Sequence, residues 1–285
     1  MNLKYQSNLR KSIYQMIGTS FCMSFTGVLI KYLTDIPLME IVFFRSVPSV
    51  IILTLILKTR KHKLIGNKNY ILILRSIFGF FSLLGFFYSV QNLVLADALI
   101  VKQLTPFFIV ILSIIFLKEK VKKRQLIFFI ISIIGALLVI KPGFRVFIFP
   151  VIIALLASFL SAAAHVAVRY LRLSENSLVI INYNVITSLL ISFFYMLIKK
   201  EFVIPNFFNF FILISIGFIS LLTQLWLTDA YRNAKASIVS IYLYMQIFFG
   251  IIFSILFFNE YPDFLAILGG GLIFFGGFIN YKLSY

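Results

Sequence analysis

The segment GFFSLLGFFYSVQNLVLADALIV at residues 79–101 returns in altered form as GFISLLTQLWLTDAYRNAKASIV at residues 217–239. A constant offset of 138 residues pairs Gly79 with Gly217 and many of the positions that follow. Internal duplication of this kind is typical of membrane proteins built from two related halves. The sequence therefore predicts a fold in which one unit occurs twice.

The composition places the chain among membrane proteins. Hydrophobic residues make up 61% of the 285 residues, charged residues only 12%, and the mean hydropathy is +1.04. Long unbroken apolar stretches indicate helices that cross a bilayer, because a membrane β-barrel needs short segments of alternating polarity. The net charge of +17 lies mostly in short loops, so membrane topology explains it better than a nucleic-acid partner.

Ten apolar segments are each near the roughly 20 residues that a helix needs to cross a membrane. The predicted spans are residues 12–33, 38–57, 70–91, 96–117, 124–141, 147–168, 178–198, 207–229, 235–258 and 264–282.

The distribution of Lys and Arg predicts the orientation of these spans. Eighteen of these residues lie in the segments on one side and five in the segments on the other. Since positive charge is retained in the cytoplasm, both termini are predicted to be cytoplasmic, in a multi-pass protein of the cell (inner or plasma) membrane.

Each half, residues 1–143 and residues 144–285, then holds five spans. Because five is an odd number, the second half must insert upside down relative to the first. The predicted fold class is an all-α integral membrane protein of ten transmembrane helices, arranged as two inverted five-helix repeats. Such repeats let one fold hold two opposite gates around a central site.

Three cations, Arg45, Arg75 and Lys102, lie within predicted spans. A charge at the bilayer centre costs about 2.5–3.5 kcal/mol on insertion scales. The presence of each of these three cations therefore requires a functional or structural explanation. Arg45 either faces an anion in a cavity or forms a structural pair with Glu40 or with another helix. Arg75 is near enough to a span end to extend its head to the interface. Lys102 either binds substrate or is neutralised locally, for instance by Asp97.

Two prolines mark the neighbourhood of these cations. Pro48 and Pro106 are the prolines near the middle of predicted spans, and each lies within four residues of Arg45 or Lys102. A proline inside a helix cannot donate to the carbonyl four residues back, which frees that carbonyl for a ligand or water. We predict that both act as kink or gating positions beside a site.

Polar and aromatic side chains within the spans complete the predicted substrate site. Tyrosine and tryptophan also form interfacial belts, but that explanation fits poorly for residues well inside a span. Aromatic rings with amides suit an amino acid, a nucleobase or a similar metabolite. Besides Arg45 and Lys102, the predicted binding residues are Tyr88, Gln103, Trp226, Tyr244 and Gln246.

Other polar positions are predicted to be structural. His165 is expected to pack among small residues, and Glu119 and Glu260 to sit at the positive end of a helix dipole. The chain contains no H-E-x-x-H or G-x-S-x-G motif, and its two histidines and one cysteine give no metal-ligand spacing. We therefore expect neither an enzyme nor a metal or cofactor site.

Several segments together resemble the drug/metabolite transporter superfamily, of the EamA type. They are MEIVFFRS (39–46), LADALIVKQLTPFFIVILSIIFLKEK (95–120), YRNAKASIVSIYLYMQIFFGIIFSILFFNE (231–260) and ILGGGLIFFGG (267–277).

The resemblance implies a secondary transporter that moves a small organic metabolite by alternating access. The E-x-x-F-F-R and Y-x-Q patterns are similar to a subgroup that includes S-adenosylmethionine carriers, which implies an amino-acid-, nucleoside- or S-adenosylmethionine-like substrate. Lys102 departs from the small or neutral residue usual in the family, and with the other intramembrane cations it favours a carboxylate or phosphate group. The alternative is a non-transporting membrane subunit or regulator that reuses the fold. The expected partners are the metabolite and the lipid bilayer, with a homodimer left open.

Overall fold

A computed structural model describes residues 3–61, 65–93, 95–102, 104–119, 148–200 and 202–259, together with scattered positions in 127–138 and 264–276. The continuous stretches form helices joined by short turns. These are α1 (Leu3–Lys31), α2 (Leu38–Thr59), α3 (Asn69–Asn92), α4 (Leu95–Lys102), α5 (Thr105–Leu117), α6 (Ile148–Tyr170), α7 (Ser177–Lys199), α8 (Phe207–Asn233), α9 (Ala236–Val239) and α10 (Met245–Phe258).

Within the described residues, seven helical segments are long and apolar enough to cross a membrane. No strand occurs in this part of the chain. The prediction of an all-helical, multi-pass membrane protein is therefore confirmed. The predicted spans 124–141 and 264–282 lie largely outside the described residues, so the count of ten stays a prediction.

The predicted fourth span, residues 96–117, is not one continuous helix. Helix α4 ends at Lys102 and α5 begins at Thr105, with Pro106 in its first turn. A proline is well tolerated there, because the first N–H groups of a helix have no partner within it. The prediction that Pro106 kinks a continuous helix is thus wrong, since the chain ends one helix and starts another.

The second half is interrupted at the equivalent place. Between α9 and α10 the chain forms a 3₁₀ helix at Ser240–Tyr244. Subtracting the offset of 138 maps this segment onto residues 102–106, which contain the break between α4 and α5. Both halves therefore interrupt the same helix near its middle, a feature that transporters use to expose backbone groups at a central site.

The main helix contacts join one half of the chain to the other. Helix α3 packs on α6, α1 on α8 and α2 on α7. By the offset of 138, α1 corresponds to α6, α2 to α7 and α3 to α8. The pairs α1–α8 and α3–α6 are thus equivalent to each other, as a two-fold relation between the halves requires.

Two apolar clusters fill opposite ends of this bundle. One, the Met16 cluster, includes Met16 and Leu227, and the other, the Val28 cluster, includes Val28 and Ile216. Helices α1 and α8 run through both, so the residues between these positions lie at middle depth. The outward faces carry many exposed large apolar side chains, which suits contact with lipid tails.

Candidate functional site

A polar cavity of about 50 Å³ lies between the two apolar clusters, and it holds the volume of one or two water molecules. Among the described residues, its lining includes the three intramembrane cations and no Asp or Glu. The lining residues are Met23, Arg45, Arg75, Gly79, Ser82, Leu83, Lys102, Ser161, Ala164, His165, Asn184 and Gln224.

Arg45 reaches the cavity from α2, and its Nε donates to Ser220 Oγ on α8 at 2.8 Å. The two helices approach closely because α8 has a glycine at the crossing. A Cβ on Gly217 would lie 2.8 Å from Pro48 Cγ. Glu40 instead accepts the backbone N–H of Val203 at 3.0 Å. Arg45 therefore faces the cavity, and the alternative pair with Glu40 does not form.

Arg75 lies deep in the bundle, with 2% of its surface exposed. Its Nη2 donates to Gln224 Oε1 at 3.2 Å, whereas its Nε and Nη1 have no hydrogen-bond partner in the described part of the chain. The prediction that Arg75 extends to the membrane interface is wrong, because its helix turns it inward. Buried donors without partners are costly, so these two N–H groups are available for an anion.

Lys102 is the last residue of α4, where the negative end of the helix dipole favours a cation. Its Nζ lies 3.4 Å from the centroid of the Phe86 ring, a cation–π contact. The side chain of Asp97, the local partner that the sequence suggests, lies outside the described residues. Lys102 thus enters the cavity with an aromatic face behind it.

His165 packs as the sequence suggests and also lines the cavity. Its ring stacks on Tyr231 with centroids 4.9 Å apart, and its Nε2 lies 3.2 Å from Ser161 Oγ. The ring Nδ1 has no hydrogen-bond partner among the residues that the structure describes. Asn184 Oδ1 is likewise without one there, so the second half adds polar atoms that a ligand can use.

The two copies of the repeated helix both position the cations of this cavity. On α3, Arg75, Gly79, Ser82 and Phe86 fall at helical spacing on one face. Their equivalents on α8 are Leu213, Gly217, Ser220 and Gln224. Ser220 holds Arg45 and Gln224 holds Arg75, while Phe86 contacts Lys102. Equivalent positions of the two copies thus support cations of one cavity.

The other predicted binding residues lie elsewhere. Tyr88 contacts Phe149 edge-on, with ring centroids 6.3 Å apart. Trp226 packs against α1 at Gly18, where a Cβ would come within 2.6 Å of its ring. Tyr244 is 2% exposed within the 3₁₀ segment.

Of the remaining predicted positions, Gln246 accepts a bond through its backbone oxygen from Ser24 Oγ at 2.8 Å. Gln103 and Glu260 lie outside the described residues. The structure therefore brings together Arg45 and Lys102 from the predicted site, but not the aromatic set.

Glu119 joins the two halves at the other end of α5. It accepts from Ser237 Oγ at 2.8 Å and from Ser237 N at 3.2 Å, at the start of α9. Arg169 Nε lies 3.3 Å from the Glu119 carboxylate. The carboxylate thus sits at the N-terminus of α9, while the residues that follow Glu119 in sequence lie outside the described part of the chain.

Sequence reasoning missed two cavity residues. Asn184 stands in the apolar stretch IINYNVI (180–186), where a buried amide is a signal of function in itself. Ser161 precedes His165 by four residues, a spacing that places both on one helix face. Among the described residues, no cluster of His, Cys, Asp and Glu could hold a metal ion.

Comparison with known proteins places this geometry in a family context. Two stretches, residues 10–141 and residues 148–282, each match the EamA-like transporter family. The pseudopaline exporter CntI of Pseudomonas aeruginosa is 30% identical over 268 residues, which cover 93% of this chain and 94% of that protein.

More distant relatives also match over most of the chain. Human solute carrier family 35 member G1 is 28% identical over 276 residues, covering 91% of this chain and 75% of that protein. The S-adenosylmethionine uptake transporter of Rickettsia conorii is 23% identical over 252 residues, covering 88% and 85%. A crystal structure of another protein matches with a TM-score of 0.76 at 12% identity, covering 95% of this chain and 98% of that one, which shows the fold.

Proposed function

The chain belongs to the EamA-like transporter family and is a transporter of small metabolites, and from this premise we propose that its substrate carries a carboxylate or phosphate group. The observation that carries the proposal is the lining of the central cavity. Arg45, Arg75 and Lys102 line it together, and no Asp or Glu is among its described lining residues. An anion is the ligand that such a site stabilises best.

Arg75 is the proposed primary anchor for the anionic group. Its Nε and Nη1 make no hydrogen bond to the described residues, while Gln224 holds the third nitrogen and so orients the guanidinium plane. Nε and Nη1 point to different edges of the guanidinium, so a carboxylate or phosphate can accept from either of them together with the second hydrogen of Nη2. Asn184 Oδ1 and His165 Nδ1 then suit a polar group elsewhere on the metabolite.

The proposed architecture is ten transmembrane helices in two inverted repeats, with both termini in the cytoplasm of a cell whose inner or plasma membrane holds the protein. The family matches two successive stretches of similar length, which supports the duplication. The equivalent helix pairs and the two helix breaks at the same register support it further. The excess of Lys and Arg on one side supports the orientation.

Alternating access is the proposed mechanism, with one gate at each end of the cavity. Arg169 and Lys31 are equivalent by the offset of 138, and each contacts the other half of the chain. Arg169 pairs with Glu119, and Lys31 Nζ lies 4.5 Å from the ring centroid of Phe258. Opening one of these contacts while the other holds would expose the cavity to one side at a time.

Metabolite profiling of cells tests the substrate class. Cells with and without the protein should differ in the internal or external level of a small set of metabolites, all bearing a carboxylate or phosphate. Arg75→Gln should reproduce the cells without the protein, and Arg60→Gln, at the exposed end of α2, should reproduce the wild type. Metabolites without any anionic group in the affected set would contradict the proposal.

A further inference from the structure

We propose that this carrier is an obligatory exchanger: after releasing one anionic metabolite, it returns through its closed state only with a second anion bound. This inference rests on the proposed function, because it concerns the same cavity. It adds the identity of the ion whose movement is coupled to transport, which is a counter-anion and not a co-transported cation.

The charge of the cavity is the starting point. Two arginines, which stay protonated in proteins, and one lysine line a space of about 50 Å³. Arg45 and Arg75 are 6% and 2% exposed, so neither is solvated from outside. Their described partners, Ser220 and Gln224, are neutral. Neither arginine therefore has its charge compensated by the groups that hold it.

Four carboxylates on neighbouring elements are engaged elsewhere, while the side chain of Asp97 on α4 lies outside the described residues. Glu40 accepts from Val203 N and Glu119 pairs with Arg169. Glu175 accepts the backbone N–H groups that precede α3, each at 2.7 Å. Asp229 accepts from Ser177 Oγ at 2.7 Å. Each of these four carboxylates would have to break its own contact in the bundle in order to move into the cavity.

The closed state is the point at which this charge matters most. Every cycle of alternating access passes through a state in which both gates are shut and water is largely excluded. Unpaired buried charges are strongly unfavourable, and an anion that pairs with them removes much of that cost. The loaded carrier therefore crosses more easily than the empty one, and transport in one direction requires a return load.

A cation as the coupling partner fits the cavity poorly. Sodium requires several oxygen ligands and gains from a carboxylate, while the described lining offers two side-chain amides and two hydroxyls beside three positive charges. The imidazole in that lining, His165, stacks on Tyr231 and lies 3.2 Å from Ser161 Oγ. Protonating it would raise the positive charge further, and would not help the empty carrier to return.

The test uses the full chain in proteoliposomes. The external probe is the anionic small-molecule fraction of bacterial cells grown on uniformly ¹³C-labelled carbon, so that every anionic metabolite of the cell is offered at once. One set of vesicles contains the same fraction unlabelled, and the other contains neutral buffer alone. Mass spectrometry then reports which labelled compounds enter each set and how fast.

Exchange predicts that the labelled compound enters loaded vesicles faster by roughly tenfold or more, a ratio that corresponds to only about 1.4 kcal/mol of barrier. Equal rates into both sets would overturn the exchange proposal and leave the substrate class standing. The exchange proposal would also be overturned if an acidic exterior drove uptake into buffer-filled vesicles as fast as uptake into loaded vesicles. Entry of no anion into either set would instead refute the proposed function.

Two variants at one position separate charge from packing. Gln224→Glu places a carboxylate beside Arg75. This carboxylate compensates the positive charge in the empty carrier, as a bound anion does in the loaded one. We expect the ratio between loaded and empty vesicles to fall toward one, whatever the absolute rate. Gln224→Met has a similar size and no charge, and its ratio should stay high. Equal ratios in the two variants would contradict the argument from charge.

Discussion

The first half of the chain gives the cavity its charge, whereas the second half gives it neutral partners. Arg45, Arg75 and Lys102 come from α2, α3 and α4. Their equivalents in the second half are Tyr183, Leu213 and Ser240.

The second half contributes Ser161, His165, Asn184 and Gln224 instead. The two halves share the glycine pair Gly79 and Gly217, the serine pair Ser82 and Ser220, and the helix break, whereas the charges are not shared. In the proposed function, the repeat provides a common framework for the site, and the asymmetry between the halves sets which ligand it binds.

The largest expected effect is at Arg75, whose equivalent is the apolar Leu213. Arg75→Ala should lower uptake in proteoliposomes by about 100-fold or more, because it removes both free N–H donors and leaves Gln224 without its partner. Leu213→Ala should change uptake far less, although it costs stability. Membrane abundance, measured for both, serves as the control. Comparable uptake by the two variants would break the comparison between halves.

Next in size is Lys102, whose equivalent Ser240 lies in the 3₁₀ segment. Lys102→Met keeps the length of the side chain and removes the charge, so uptake should fall by about tenfold. Ser240→Ala removes a buried hydroxyl that has no hydrogen-bond partner among the described residues, and uptake should stay within about twofold of the wild type. A Lys102→Met protein that transports normally would remove Lys102 from the site.

A smaller effect is expected at the two contacts proposed as gates. Glu119→Gln loses the ion pair with Arg169 and weakens the cap of α9, at a cost of about 1 kcal/mol. Lys31→Met loses a cation–π contact with Phe258, worth about 0.5 kcal/mol. Thermal unfolding in detergent should therefore show a larger drop in Tm for Glu119→Gln. The reverse order would mean that the two ends of the bundle are held differently from this description.

The last comparison concerns Phe86, the equivalent of Gln224. Phe86→Leu keeps the apolar volume near Lys102 and removes the ring face, which is worth roughly 0.5–2 kcal/mol to a nearby cation. The concentration for half-maximal uptake should rise several-fold, with the maximal rate less affected. A change in maximal rate alone would indicate that the ring acts in closure and not in holding Lys102.

Much of the fold could be predicted from sequence, because hydropathy and duplication both act over long stretches. Which face of a helix lies inward was harder, as Arg75 shows. Nearly every neighbour of Arg75 on α3 is apolar, so hydrophobic periodicity does not mark the buried face. The stripe of Arg75, Gly79, Ser82 and Phe86 was a usable signal, since a small residue and a hydroxyl flank the cation at helical spacing.

The aromatic part of the site shows the other limit. Tyr244 and Gln246 lie well inside a predicted span, and depth is the feature of the sequence that favours them as cavity residues. The depth of a residue in the membrane does not show which way its side chain points. The 3₁₀ segment at Ser240–Tyr244 also changes the helical register from which that direction would be inferred. The partner choices, such as Gln224 for Arg75, depend on packing between the halves, which single-span patterns do not contain.

Binding and uptake of anions by the purified protein test the central claim most directly. Proteoliposomes that carry the wild type or Arg75→Ala, filled with unlabelled anionic metabolites so that exchange can occur, would be offered a labelled mixture of neutral, cationic and anionic metabolites. The accumulated compounds would be identified by mass spectrometry. The account predicts that the wild type accumulates compounds with a carboxylate or phosphate. Arg75→Ala should accumulate none of them above the level found in vesicles without protein. Accumulation of neutral or cationic compounds alone, or anion uptake that Arg75→Ala leaves unchanged, would contradict it.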